Sequence, residues 1–317
     1  MSGPAAVASG QIAVRRPRGR LRRIITVLRQ VASQRSGALG LAILVFFTFL
    51  ALFPDVLVGP LQTAVSADGP PMAPPQPGYP LGTDELGRSI LNLTVHGARI
   101  SMIIGLLATL VTVVVGAVIG IVSGFVGGRT DAFLMRITDF FLVIPTFVLA
   151  LILAPVIAEL FGTDGEILGI RITLIVIVVV IGLTSWSSTA RIIRSQTLSL
   201  KERAFVDRAR VIGASPIHMM SRHILINVTD LIVANTVLVF AGAVLTETTL
   251  SFVGLGDPFA PSWGEILNSA QAASAPGLGA WWYMAPPGVS IVLVVLAFTL
   301  VGGVLDGILN PRLRGRH

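Results

Sequence analysis

Met102-Ile-Ile-Gly-Leu-Leu-Ala-Thr-Leu-Val-Thr-Val-Val-Val-Gly-Ala-Val-Ile-Gly-Ile-Val-Ser-Gly124 holds no charged residue. A helix of roughly 20 apolar residues crosses the hydrocarbon core of a bilayer. This run has that length, and it does not alternate apolar with polar as a barrel strand would. Similar runs lie on both sides of it, at 38–58, 137–160 (broken by Pro145), 172–190, 228–250 and 285–305. They predict an all-α polytopic membrane protein with six transmembrane helices. Composition agrees. The chain has 317 residues, 53% hydrophobic and 12% charged, and a mean hydropathy of +0.84. Soluble domains carry about 25% charged residues. Half that charge cannot clothe a water-facing surface, so a soluble enzyme and a disordered chain are both poor readings.

The charges set an expected orientation. Lys+Arg number 23 against 16 Asp+Glu. Six spans put both termini on one side. That side collects 20 of the 23 cations: 8 before the first span, 2 in 127–136, 7 in 191–227 and 3 in the C-terminal tail. The positive-inside rule makes it cytoplasmic. The expected organisation is a basic cytoplasmic tail over 1–37, a first helix over 38–58 and an extracytoplasmic loop over 59–101. A core of five helices follows over 102–305, with a cytoplasmic loop at 191–227 and an extracytoplasmic loop at 251–284, and then a cytoplasmic tail over 306–317. The apolar run after the basic tail exceeds the 7–15 residues of a signal-peptide core, so it reads as an uncleaved helix. The tail reads as an arm lying on lipid headgroups rather than on nucleic acid.

In the second run Ala108, Thr112, Gly116, Gly120, Gly124 and Gly128 recur every four residues. One face made of small residues lets membrane helices approach closely, so these glycines read as packing positions. Asp139, Asp230, Glu247 and Asp306 lie near predicted helix ends, with no obvious basic partner at mid-membrane, and read as structural or interfacial. The four histidines lack metal-ligand spacing, and there is no cysteine. With Lys201 the sole lysine and no glycine-rich loop around it, no P-loop exists. The sequence thus predicts no catalytic site, no metal site and no cofactor of its own; any ATP and Mg would be bound by a separate polypeptide.

The cytoplasmic loop is patterned. The stretch 199–212 reads as an amphipathic helix, Gly213 as a turn, and Pro216 as the start of a second helix over 217–225. Tethered at both ends, such a pair suits docking of a soluble partner. The residues Ala204-Phe-Val-Asp-Arg-Ala-Arg-Val-Ile-Gly-Ala-Ser215 and Arg222-His-Ile-Leu-Ile-Asn227 resemble the "EAA" loop of ABC importer permeases. The similarity is to the C-type subunit of the dipeptide/oligopeptide (peptide/nickel) branch, with Arg208 and Ile226 where the family pattern has Ala and Pro. Tyr79-Pro-Leu-Gly-Thr-Asp-Glu-Leu-Gly-Arg-Ser89, His96-Gly-Ala-Arg-Ile-Ser101, Gly124-Phe-Val-Gly-Gly128, Leu250-Ser-Phe-Val-Gly-Leu-Gly256 and Pro261-Ser-Trp-Gly-Glu265 resemble further family segments in the same order.

The resemblance implies a type I importer fold and a partner set. That set is a second permease subunit (a similar B-type chain or a second copy), two ABC ATPase subunits, an extracytoplasmic solute-binding protein and the lipid bilayer, with no nucleic acid. It implies that Ala204, Phe205, Val206, Asp207, Arg208, Ala209, Gly213, Ala214 and Ser215 couple to the ATPase. Asp84, Glu85, Arg88, Glu247, Pro261 and Trp263 are the candidates for the extracytoplasmic side and the pathway. The outer segment 68–80, rich in proline, is expected to be extended, and the tryptophans of 252–283 read as an interfacial belt. The implied function is ATP-driven import of peptides or a related small solute. An ion-gradient-driven carrier or channel subunit is the alternative.

Overall fold

The computed structural model describes residues 20–162, 165–167 and 170–309. The tail arginines Arg15, Arg16 and Arg18 and the tail from 310 lie outside the described residues. The elements are α1 (Arg20–Ala32), α2 (Arg35–Leu52), α3 (Pro54–Val58), α4 (Ile90–Val126), α5 (Gly128–Val143), α6 (Thr146–Phe161), strands β1 (Glu166–Ile167) and β2 (Ile170–Arg171), α7 (Ile172–Lys201), α8 (Ala204–Val211), α9 (Pro216–His218), α10 (Leu225–Leu250), α11 (Trp263–Ala272) and α12 (Trp281–Leu309). The two strands form a small antiparallel hairpin. α9 runs through a π-helical stretch, Met219–Ile224, into α10. Among the described residues, five helical runs are long and apolar enough to cross a membrane: α2, α4, α7, Pro216–Leu255 and α12.

The expected third span is not one helix. α5 and α6 meet at 96°. Ile144 and Pro145 are both extended, because the proline ring disfavours helical geometry at the residue before it and removes a backbone donor. Taken as a single broken span, the pair makes the sixth. The first span is also shorter than 38–58: α2 stops at Leu52, and Phe53 breaks the helix ahead of Pro54, which starts the separate α3. Two boundaries move in the loop after α7. Residues 199–201 belong to the end of α7, and the short helix begins only at Ala204, after the extended Arg203. The predicted helix 217–225 has no end of its own, since it continues into α10 as one 40-residue run.

α4 and α7 form the centre of the bundle. A Cβ at Gly116 would fall 2.7 Å from Thr189 Cβ, one at Gly120 2.6 Å from the Ala190 carbonyl, and one at Gly124 2.8 Å from Thr197 Cβ. These three glycines therefore bring the two backbones together. Gly128 does not join them. α4 ends at Val126, and Gly128 has φ +58 with open space around it, so it serves the turn into α5. Around this pair, Ala150, Ala154 and Ile157 of α6 pack on Leu174, Ile177 and Ile181 of α7, while α2 and α12 pack where Gly40 faces Ala297 and Val301.

Candidate functional site

α8 sits at the end of the bundle where α7 stops and α9 starts. Val206 is fully buried in a cluster with Ile121 and Phe125 of α4, Ile193 and Leu200 of α7, and Met219, Ile224 and Val228 of the α9–α10 run. One side chain thus seats the short helix on three long ones. Phe205, Ala209 and Ala214 flank that seat, half-buried. Gly213 takes φ +88, a left-handed conformation that favours glycine, and the Ala214 N–H donates to the Ala209 carbonyl at 3.0 Å. This closes the helix as a C-terminal glycine motif. Ser215 then caps the next helix by accepting from the His218 N–H at 3.3 Å, with Pro216 at its first position.

The other face of the loop is open. Asp207 and Arg210 pair at 3.1 Å with both side chains exposed, and Arg208 folds back on the Ala204 carbonyl. Val211, Ile212 and Ile217 are 88%, 85% and 74% exposed. Three aliphatic side chains that open, beside a charged turn, form the kind of surface that a partner covers. The structure thus brings together all nine residues expected in the loop. It divides them into a buried seat (Val206), half-buried supports (Phe205, Ala209, Ala214) and an exposed face.

The opposite end holds the other six candidates, and none of them lies open. Asp84 is fully buried. One of its oxygens accepts from the N–H groups of Leu86 and Arg88, and the other pairs with Arg88 Nε at 2.6 Å. Its capacity is spent inside the loop. Glu85 lies beside the Tyr283 hydroxyl. Trp263 is fully buried, its indole N–H donating to the Thr94 carbonyl at 2.9 Å and its ring edge-on to Phe47. It belongs to the core, not to an interfacial belt: the amphipathic indole finds its polar partner on α4. Pro261 is buried just ahead of it. Glu247 is buried on α10, where Ser251 donates to it at 2.9 Å. Burial, together with the nearby carboxylates of Asp257 and Glu247, pushes the Glu265 carboxyl above its usual range. Asp257 itself is held by Arg171.

The proline-rich segment is not extended. Thr83 donates to the Pro70 carbonyl and accepts from the Ala73 N–H, the Met72 N–H donates to the Asp84 carbonyl, and Gln76 and Tyr79 pair. Asn92, which the sequence did not single out, and His96, which it placed only in a family-like segment, bind the carbonyls of Val58, Gly59 and Pro60. Together these contacts fold 59–89 as a cap over the start of α4. Asp139 pairs with Arg191 at 2.7 Å, and Asp131 takes Arg194 in a two-bond fork at 2.6 Å, so α5 is tied to α7.

Comparison with known proteins identifies the family. Residues 116–315 match the family described as "Binding-protein-dependent transport system inner membrane component". The chain is 32% identical to the dipeptide transport system permease protein DppC of Bacillus subtilis over 86% of this chain and 82% of that one. It is 31% identical to the di/tripeptide transport system permease protein DppC of Pseudomonas aeruginosa over 90% of this chain and 91% of that one. A multi-pass helical bundle, a domain match over most of its length and relatives aligned nearly end to end lead to one conclusion: the chain belongs to the inner-membrane permease components of binding-protein-dependent ABC importers.

Proposed function

We propose that this permease subunit carries peptides, or a related small solute, into the cytoplasm, and that α8 is its coupling helix. The observation that carries this reading is the two-sided build of α8, with Val206 seated in the core of three long helices and Asp207, Arg208, Arg210, Val211 and Ile212 facing outward. A rigid seat lets a push on the outer face reach α4, α7 and α10 together, which is what a two-state access switch requires. Two ATPase subunits holding ATP and Mg would dock on this face and on its counterpart in a second permease chain. Both termini and the 191–227 loop then lie in the cytoplasm, and the cap over 59–89 faces the binding protein. The peptide dimension rests on the names of the relatives.

Uptake of a labelled dipeptide into proteoliposomes tests the reading. It is expected only when the ATPase subunits, the partner permease and the binding protein are all present with ATP. Uptake by this chain alone, driven by an ion gradient, would overturn it.

A further inference from the structure

We infer that α1 is an interfacial anchor that takes anionic phospholipid headgroups at the end of the bundle bearing the coupling loop. α1 cannot swing free. Only Ser33 and Gln34 separate it from α2. The Ser33 N–H donates to the Arg29 carbonyl at 3.0 Å, and the Gln34 N–H to the Val31 carbonyl at 3.2 Å. A Cβ at Gly37 would lie 2.9 Å from Val31 Cγ1, so the two helices meet closely. Val31, 1% exposed, packs with Val27 on Val301, Val304 and Leu305 near the end of α12. Residues Asp306 and Leu309 of that same end share a small cavity with Asn227 and Asp230 of α10, next to the coupling loop. The helix is therefore pinned at the level where the long helices end.

Its remaining surface has two faces. At 100° per residue, Ile25, Leu28 and Ala32 form one stripe, with Ile25 and Leu28 each 50% exposed. Thr26 and Gln30 are exposed on the far side of the helix, and Arg29, also exposed, borders the stripe next to Ile25. A helix with one face on its own protein, an open aliphatic stripe and a polar back is built to lie in the boundary between acyl chains and headgroups. At 13 residues it is too short to cross. Charge selects the lipid. Residues 20–35, α1 and its junction with α2, contain five arginines and no aspartate or glutamate, and a helix with this balance at a membrane surface is drawn to anionic headgroups. A protein partner would cover an aliphatic stripe as well, but would not call for a cationic segment free of acids.

The absence of native cysteine permits a direct test. Leu28→Cys and Gln30→Cys, both at exposed positions, are labelled singly with a fluorophore in the full chain in nanodiscs, with and without the ATPase subunits. Spin-labelled phosphatidylglycerol should quench the label at 28 about twofold more than spin-labelled phosphatidylcholine does. The label at 30 should answer instead to aqueous iodide. Adding Arg29→Gln and Arg35→Gln should bring the two lipids towards parity. Equal quenching by both lipids in the native-charge chain overturns the anionic preference. Iodide access at 28, or shielding there that vanishes without the ATPase subunits, overturns the lipid seat in favour of a protein surface.

Discussion

The two ends of the molecule are built on opposite principles. At one end, segment 59–89 and α11 hold buried polar groups in internal pairs, Asp84 with Arg88 and two backbone N–H groups, Trp263 with Thr94, Thr83 with Pro70 and Ala73, while Glu85 Oε2 and the Tyr283 hydroxyl are buried without a hydrogen bond. At the other, α8 buries one valine, and α8 with the turn and start of α9 after it leaves its charges and three aliphatic side chains exposed. Buried polar groups are costly unless paired, so a paired cap is finished structure. An exposed aliphatic turn on a rigid seat is half of an interface. The contrast assigns stability to one end and partner binding to the other.

Substitutions can break that contrast, beginning with the strongest. Trp263→Ala empties a fully buried site and removes a hydrogen bond. It should cost about 3–5 kcal/mol, seen as loss of the monodisperse detergent-solubilised protein or a sharp fall in its unfolding temperature. Asp84→Ala leaves Arg88 without its carboxylate at a buried position, and about 3 kcal/mol is expected by the same assay. Val206→Asp should match these in stability, because it places a charge in the three-helix seat. Ile212→Asp, a few residues away, should leave stability within about 0.5 kcal/mol yet abolish ATP-dependent uptake. If Ile212→Asp transports normally, the open face is not an interface.

The smallest effect concerns Glu265. Its carboxyl is raised, so the folded state holds its proton more tightly than the unfolded chain does. The resulting stabilisation is full below the unfolded value and is lost as pH rises through the raised one. Glu265→Gln should therefore flatten the pH dependence of the unfolding temperature in the mildly acidic range and raise that temperature at neutral pH. An unchanged pH profile would contradict this.

Much of this division was legible in the sequence, for identifiable reasons. The uncharged run of 102–124 and its four-residue glycine spacing depend only on local composition, and Gly116, Gly120 and Gly124 do meet α7. The spacing could not show that the helix ends at Val126, which takes Gly128 out of the stripe. The proline at 145 was visible, but not the 96° between the helices it separates. The outer candidates were hardest to place. Whether Trp263 faces a solute or the core depends on a partner as distant as Thr94, a separation no local pattern encodes. The loop 204–215 was easiest, because its chemistry is local: a short helix, a glycine at positive φ and a serine cap.

The most direct test is disulfide or bifunctional cross-linking in the assembled transporter, with single cysteines at Asp207 or Ile212 on α8 and at Val65, 97% exposed, at the other end. Coupling through α8 predicts an adduct with the ATPase subunit from 207 and 212, whose yield changes when ATP is added, and none with that subunit from 65. An intact complex that yields no ATPase adduct at either α8 position would contradict the assignment.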